Sequence, residues 1–382
     1  MKRVIISVLI LCAGFVSVAW GQKLTCPPSF NWNEFHTKDM ERQNPCENVL
    51  NVNNVGSLGL KWSYTTGGAV ESSPAVVNGV VYIGSYDNNV YALNASTGAK
   101  LWSYTTRGEV YSSPAVANGM VYVGSLDNEV YALNAKTGAK LWSYATGNNV
   151  DSPPTVANGV VYVASLDSKV YALNAKTGAL LWRYTTELGQ YVGSSPAVAN
   201  GVVYVSGGGG IFYALSATTG ALLWSYGTEY YAYSSGAVAG DVVYAGSGAF
   251  DAGGEVYALN ASTGEQLWTY ATSNADYSSP AVVKGVVYIG SQDDNVYALN
   301  AATGAKLWSY PTGNQIYSSP AVANGVVYIG SEDDNVYALN AKTGALLWKY
   351  ATGGYVNSSP IVVDGVVYVG SDDGKVYAFG LN

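Results

Sequence analysis

The sequence has few of the residues that carry most catalytic and metal chemistry. Its 382 residues include one histidine, three cysteines and three methionines. His36 by itself is neither a catalytic base with a partner nor a zinc site. Only 12% of the residues are charged, and the formal net charge is −8. An acidic chain with so few basic residues has no electrostatic reason to bind nucleic acid or an anionic membrane.

Long apolar runs are absent outside the N-terminus. Residues 1–21 have the form of a secretory signal peptide, because Lys2 and Arg3 precede an apolar stretch that ends in a small-x-small cleavage sequence at Gly21. The alternative is a membrane anchor, for which the apolar stretch is short. The sequence therefore predicts an exported protein, periplasmic or extracellular, that is monomeric and has no membrane span after cleavage.

Cys26 and Cys46 are the cysteines that remain after such cleavage. Two cysteines in an exported protein favour a disulfide between them. The surrounding residues, 22–57, also differ in composition from the rest, with the Pro27-Pro28 pair and the single histidine. We expect residues 22–57 to be an irregular lead-in that is closed by the disulfide and packs against the remainder.

Repetition is what the sequence has in abundance. The eleven residues Ala92-Leu-Asn-Ala-Ser-Thr-Gly-Ala-Lys-Leu-Trp102 define a frame, Ala-x-Asn-x-x-Thr-Gly-x-x-x-Trp, that returns about every 40 residues. Copies of this frame end at Trp102, Trp142, Trp182, Trp268, Trp308 and Trp348, and one with Ser216 in place of Asn ends at Trp224. An eighth copy begins at Ala378 and stops, whereas Trp62 stands near the start of the array without a frame before it.

Each unit contains four short segments rich in β-branched and aromatic residues. In the first unit these segments are residues 72–77, 80–85, 90–93 and 100–104, and Asn78-Gly79 between the first two is a strong hairpin signal. Four antiparallel strands in about 40 residues is the period of a β-propeller. The strand around Trp62 would complete the last blade and close the ring. The sequence thus predicts an all-β, eight-bladed propeller over residues 58–382.

The eleven-residue frame resembles the tryptophan-docking motif of the PQQ-binding-like (quinoprotein-type) propeller repeat family. That motif has Asp where this chain has Asn94, and Asn retains the acceptor that the turn needs. The resemblance covers residues 58–382. It implies that each tryptophan has a structural role, wedged against the neighbouring blade, at Trp62, Trp102, Trp142, Trp182, Trp224, Trp268, Trp308 and Trp348.

The same resemblance implies two possible functions. One branch of the family is pyrroloquinoline quinone (PQQ)-dependent alcohol or sugar dehydrogenases, which hold the cofactor and a calcium ion at the propeller axis. Another branch is non-catalytic and offers its surface to protein partners. This chain lacks the adjacent cysteine pair and the long insertions of the dehydrogenases, and Arg107 is its clear candidate to grip the acidic cofactor. We therefore interpret it as a non-catalytic binding scaffold without a cofactor, with a PQQ- and calcium-dependent dehydrogenase as the alternative.

The units differ mainly in the connection that leads into each innermost strand. The residue just before each Ser-Ser-Pro segment, or its equivalent, is expected near the axis, which predicts a ring of Glu71, Tyr111, Asp151, Gly193, Tyr233, Tyr277, Tyr317 and Asn357. Tyrosines with a few acids can bind a sugar, a peptide or a flat ligand. Alternatively, they only fill the mouth of a wide channel.

The spacing of the repeats is broken in one sector. Successive tryptophans are 40 residues apart except for 42 between Trp182 and Trp224 and 44 between Trp224 and Trp268. The insertions fall near Tyr191 and within residues 246–255, on the same predicted face. We expect a partner or ligand to contact that face around blades four and five, including Tyr191, Phe250 and Asp251. Asp251 with Glu255 suggests a cation site, although two acids near glycines are more typical of a solvated turn.

Overall fold

The computed structural model describes residues 26, 31–36, 41–186, 191–249 and 252–381. These residues form eight sheets, each with four antiparallel strands, numbered here as blades one to eight in the chain order of their innermost strands; blade seven carries one further short strand. The innermost strands are Ala75–Val77, Ala115–Ala117, Thr155–Ala157, Ala197–Ala199, Ala237–Ala239, Ala281–Val283, Ala321–Ala323 and Ile361–Val363. The sheets pack side by side in a ring, which confirms the predicted eight-bladed propeller.

The other strands of each blade follow outward. The second strands are Val80–Gly84, Met120–Gly124, Val160–Ser165, Val202–Gly207, Val242–Ala249, Val286–Gly290, Val326–Gly330 and Val366–Ser371. The third strands are Asn89–Asn94, Glu129–Asn134, Lys169–Asn174, Ile211–Ser216, Gly253–Asn260, Asn295–Asn300, Asn335–Asn340 and Lys375–Leu381. The outer strands are Lys100–Thr105, Lys140–Ala145, Leu180–Thr185, Leu222–Gly227, Gln266–Thr272, Lys306–Pro311, Leu346–Ala351 and, for blade eight, Leu58–Thr65. A two-residue strand, Gln43–Asn44, and a 3-10 turn, Val55–Ser57, precede them.

The turns form for the reasons that the repeat predicts. Asn78 and Gly79 have φ values of 51° and 74°, the positive values that a two-residue hairpin requires. In the Thr-Gly turn, the Asn94 side-chain oxygen accepts the Ser96 and Thr97 backbone N–H groups at 3.0 Å each. Asparagine thus makes the turn without the charge of the family's aspartate.

Each tryptophan joins its blade to the next one. The Trp102 indole N–H donates to the Ala135 carbonyl at 2.9 Å, and the Tyr82 hydroxyl donates to the same oxygen at 3.1 Å. The indole ring lies on Gly138, where an added Cβ would come within 2.7 Å of the ring. Glycine in the Thr-Gly turn is therefore needed both for its positive φ and for this close approach. Tyr82 lies outside the eleven-residue frame, so its part in this contact was not predicted from the sequence.

The N-terminal strand closes the ring as predicted. Leu58–Thr65 pairs antiparallel with Lys375–Leu381, and Trp62 lies opposite Ala378. The Ser358 hydroxyl donates to the Ser72 carbonyl at 3.0 Å, so the segments that lead into the last and the first innermost strands are bonded to each other. Blade eight therefore contains strands from both ends of the propeller, and hydrophobic clusters join it to blade seven on one side and to blade one on the other.

The lead-in runs around the inner wall of the channel, from one blade to the next. Trp32 forms an antiparallel bridge with Val76 of blade one, and the Asn33 carbonyl accepts the Val116 N–H of blade two at 2.7 Å. A carboxylate oxygen of Glu34 accepts a backbone N–H of blade three at 3.0 Å. Further along, Gln43–Asn44 pairs in parallel with the innermost strand of blade seven. The described lead-in thus satisfies inner strand edges that face the channel.

Arg42 anchors this segment from within the channel. Its side chain is fully buried, and its guanidinium donates to the carbonyls of Ser319, Pro320 and Pro360 in blades seven and eight. The same group lies 4.4 Å from the centre of the Phe35 ring, a cation–π contact. Among the described residues, carbonyl dipoles and an aromatic face compensate its charge.

The expected Cys26–Cys46 disulfide is present, with the two Cα atoms 5.5 Å apart. The predicted signal peptide, residues 1–21, lies outside the described residues. Within the described part of the chain, no helix has the length and apolar character that crossing a membrane requires.

Candidate binding site at the propeller axis

The connections between blades converge on one face of the ring and surround a cavity. Both the outer-to-inner connections and the hairpins between second and third strands lie on this face, since the Tyr86 N–H donates to the Ala69 carbonyl at 2.9 Å. We call it the connection face. The cavity at its centre measures about 560 Å³ and is lined by Glu71, Tyr111, Asp151, Leu166, Tyr191, Gly193, Tyr233, Tyr277, Tyr317 and Asn357. It brings together all eight residues of the predicted ring.

A belt of serines lies directly below the lining residues. The Ser72 hydroxyl donates to the Ser112 carbonyl at 3.2 Å, and the Ser73 N–H donates to the Ser113 hydroxyl at 2.8 Å. Arg42 of the lead-in binds carbonyls at the same level. The lead-in therefore closes the channel beneath the cavity, and a ligand has access from the connection face.

Aromatic rings form much of the cavity wall. Tyr277 lies between Tyr233 and Tyr317, with ring centres 5.0 Å and 5.9 Å away respectively. Tyr111 stands four blades away from Tyr277 around the ring, and its ring centre is 6.0 Å from that of Tyr86. The cavity thus presents tyrosine rings from opposite parts of the propeller.

Two carboxyl groups, those of Glu71 and Asp151, line the cavity, and Asp372 stands near Glu71 outside the lining. Burial raises the pKa of Glu71, although hydrogen bonds with Tyr86 and Tyr111 act in the opposite direction. Burial raises the pKa of Asp151 to about 6. Burial, together with the nearby charge of Glu71, raises the pKa of Asp372 to about 7. None of the described residues that line the cavity is basic, so negative charge there is poorly compensated.

Arg107, the predicted grip for an acidic cofactor, does not line the cavity. Its side chain is 71% exposed and forms an ion pair with Glu129, with Asp127 at 3.8 Å. It therefore lies on the outside of the connection face, where its charge is already paired.

The sector around blades four and five differs from the rest of the connection face. In blade five the second and third strands extend by the pairs Gly248–Gly254 and Ala249–Gly253, so this hairpin projects further than the others. Gly248 packs against Ala275, where an added Cβ would approach the Cα to 2.2 Å. The predicted contact residues Phe250 and Asp251, and any cation site that includes Asp251, lie outside the described residues.

In most blades, an aspartate in the hairpin between the second and third strands holds the neighbouring outer-to-inner connection in place. The sequence analysis did not predict this role. Asp87 accepts the Gly67 backbone N–H and the Tyr91 hydroxyl, both at 2.6 Å. Burial opposes its ionisation, but these hydrogen bonds hold the pKa of Asp87 below its usual value. Equivalent aspartates are Asp127, Asp167, Asp293, Asp333 and Asp373. In the sequence each of these aspartates stands four residues before a tyrosine, and this repeated spacing could have revealed the role. Blades four and five lack such an aspartate.

The residues of the site give no cluster of metal ligands. Within the ranges that the structure describes, no three His, Cys, Asp or Glu side chains are grouped closely enough to hold a metal ion. The cavity also does not fit PQQ, because the three carboxylates of that cofactor would lie beside Glu71 and Asp151 without a basic partner.

The fold and repeats define the class of the protein as an eight-bladed propeller of PQQ-type repeats. The family model described as "Outer membrane protein assembly factor BamB" matches residues 48–151, 146–280, 232–319 and 296–381. The chain therefore belongs to this family. No curated protein matches the sequence.

Solved structures share the fold at low sequence identity. The quinohemoprotein alcohol dehydrogenase ADHIIG from Pseudomonas putida HK5 has a TM-score of 0.80 and 20% identity, with 92% of this chain and 80% of that chain covered. BamB from Moraxella catarrhalis has a TM-score of 0.70 and 20% identity, with 85% and 99% covered. The computationally designed protein Ika8 has a TM-score of 0.73 and 20% identity, with 83% and 97% covered. At such identities the likeness shows the fold, which an enzyme, an assembly factor and a designed protein share.

Proposed function

We propose that this protein is an exported, non-catalytic propeller that binds a partner through its connection face, with the axial cavity at the centre. One observation carries the proposal: the cavity is lined by tyrosines and acids, without a basic residue among its described lining. Tyrosine supplies a large rigid contact surface together with a hydroxyl that bonds polar groups. The position of the lead-in supports a binding role, because it closes the channel and leaves a cavity that is open on one face.

The family supports a protein as the partner. Its model is described as an outer membrane protein assembly factor, and BamB from Moraxella catarrhalis covers 85% of this chain. By that likeness we infer a role in assembling proteins at the bacterial envelope, on its periplasmic side. The longer blade-five hairpin extends the contact surface beyond the cavity, since it projects from the connection face.

The second candidate is a PQQ- and calcium-dependent dehydrogenase, favoured by the fold match to the Pseudomonas putida enzyme. Its weakness is electrostatic. A tri-acid cofactor requires positive groups, and Arg107 is paired with Glu129 outside the cavity. The proposed function therefore needs no cofactor, and we assign no step of dehydrogenase chemistry to this site.

Site-specific crosslinking in the native host tests the proposal. A photo-crosslinking residue at Tyr231 or Tyr355, both about half exposed near the cavity mouth, should capture the same protein. The matched control is Leu141, equally exposed but on an outer strand, and it should capture none. Deletion of residues 249–252 should weaken capture while the thermal unfolding midpoint stays close to that of the parent. Equal capture at Leu141 and Tyr355 would contradict the proposal.

Reconstitution tests the alternative directly. The purified protein would be incubated with PQQ and calcium, dialysed, and assayed for bound quinone by absorbance and for dye-linked oxidation of alcohols and sugars. We expect no retained quinone and no oxidation. Stoichiometric retention with substrate-dependent dye reduction would replace the scaffold proposal with the dehydrogenase.

A further inference from the structure

We propose that the axial cavity binds an organic cation, namely an alkylammonium group carried by a free amine or by a lysine side chain of a partner. This inference rests on the proposed function, because it names the chemistry that the connection face recognises. The charge of this ligand is opposite to that of PQQ, the anionic cofactor of dehydrogenases that share the fold.

The aromatic wall provides the first argument. A cation is attracted to the negatively charged face of an aromatic ring, most strongly where water is excluded. Tyr233, Tyr277 and Tyr317 form one continuous stretch of rings, and Tyr111 lies across the cavity from Tyr277. An alkylammonium group in the cavity would therefore meet rings on more than one side. The volume of about 560 Å³ lies within the usual ~300–1,000 Å³ of small-ligand pockets.

Uncompensated acceptors provide the second argument. Asp151 and Asn357 line the cavity, and each has an Oδ1 atom without a hydrogen-bond partner. Asp372, which receives a hydrogen bond from Asn357, also leaves one Oδ1 atom unpartnered. A buried acceptor without a donor costs free energy, and an ammonium group supplies three donors and no acceptor. These Oδ1 atoms are enclosed in the cavity wall without a compensating donor, so they add to the negative potential that an ammonium group in the cavity would meet.

Mutual repulsion among the acids provides the third argument. Glu71 is close enough to Glu332 and Asp372 for its charge to raise the pKa of both, after the effect of burial. A positive ligand would relieve the repulsion at these groups, whereas an anion would increase it. A neutral polyol would leave it unchanged.

The basic residues nearby do not neutralise the cavity. On the connection face, Lys169 is paired with Asp167 at 3.1 Å and Lys375 with Asp373 at 2.8 Å. Arg107 is paired with Glu129. Beneath the cavity, Arg42 donates to backbone carbonyls. The described lining therefore keeps its negative charge available to a ligand.

Calorimetric titration of the purified protein tests the proposal with three probes of matched length. We expect 1,5-diaminopentane to bind, 1,5-pentanediol to bind about tenfold more weakly or worse, and glutarate not to bind. The double variant Glu71→Gln with Asp151→Asn should weaken diamine binding by about tenfold or more. The single variant Tyr277→Leu should also weaken it. Asp241→Asn, which removes an exposed acid at a hairpin on the opposite face, is the control and should leave binding unchanged.

A second arm identifies the source of the cation. N-acetyl-lysine amide and trilysine are titrated beside the diamine, and stronger binding of the lysine probes would assign the site to a partner side chain. The proposal is overturned if the diol binds as tightly as the diamine, or if the double variant binds the diamine normally. If no amine binds while Tyr231 and Tyr355 still capture a partner, only the ligand chemistry is refuted. If amines bind and crosslinking fails, only the partner proposal is refuted.

Discussion

At the scale of single residues, Asp276 is the clearest departure from the repeat. The equivalent positions of the other blades are aliphatic, namely Val70, Val110, Val150, Val192, Ala232, Ile316 and Val356. Asp276 is fully buried, and its Oδ2 atom accepts the Thr272 hydroxyl at 2.7 Å while Oδ1 has no well-formed hydrogen bond. The Ser291 side chain also lies near the carboxyl group and, like Thr272, favours its charged form without outweighing burial. Burial raises its pKa well above 3.8. Gly246 packs closely against Asp276, in the same way that Gly84 of blade one packs against Val110.

We predict that Asp276→Val stabilises the protein by roughly 1–3 kcal/mol near neutral pH, because a poorly satisfied buried acid is replaced by the side chain of most other blades. The pKa is raised in the folded state, so the unfolded state loses its proton first as the pH rises. The contribution of Asp276 to stability is therefore most favourable below pH 3.8 and declines above it, so the advantage of the variant should grow from mildly acidic to neutral pH.

Urea denaturation of both proteins across this pH range measures the difference. The reverse substitution Val356→Asp in blade eight is the matched control and should destabilise. A variant that is no more stable than the parent at any pH would show that Asp276 is better satisfied than its contacts indicate.

At the scale of elements, the lead-in acts as a clamp across the ring. Residues 31–36 bond to blades one to three, whereas residues 41–47 bond to blades six to eight. The sequence predicted that this segment packs against the propeller, but its place in the channel follows from a tertiary feature. The innermost strands leave their inner edges without a strand partner, and the described lead-in supplies hydrogen bonds to six of the eight blades.

We predict that Arg42→Ala lowers the free energy of unfolding by about 3 kcal/mol, because the carbonyls of Ser319, Pro320 and Pro360 lose a charged donor in a buried place. Arg183→Ala removes the same side chain from an exposed position on an outer strand, and should change stability by less than ~0.5 kcal/mol. Denaturant titration of both variants measures this contrast. Equal effects would mean that Arg42 does not anchor the lead-in.

At the scale of the whole molecule, stability depends on closure of the ring. Trp62 belongs to the strand that completes blade eight, and its indole N–H donates to the Ala95 carbonyl of blade one at 2.9 Å. Trp142 makes the same contact between consecutive blades, to the Ala175 carbonyl at 3.0 Å. Their side chains are exposed to 8% and 9%. The joint at the closure is thus built like an internal one.

We predict that Trp62→Ala and Trp142→Ala destabilise the protein by similar amounts, about 3–5 kcal/mol each, because each removes a buried aromatic side chain from a blade interface. Unfolding should remain a single transition in both variants when followed by tryptophan fluorescence and by far-ultraviolet circular dichroism. A small loss for Trp62→Ala, or an early separate transition, would show that the closing strand detaches independently.

The blades and their number can be predicted from the sequence, because hairpin turns and tryptophan joints are local patterns that recur with each unit. It also predicted which residues ring the cavity, from Glu71 to Asn357, since one position in every repeat faces the axis. The sequence did not predict that Arg107 is paired outside this ring or that Arg42 is buried beneath it. Those two outcomes depend on contacts between distant parts of the chain. The charge of the cavity, and with it the ligand that we propose, follows from them.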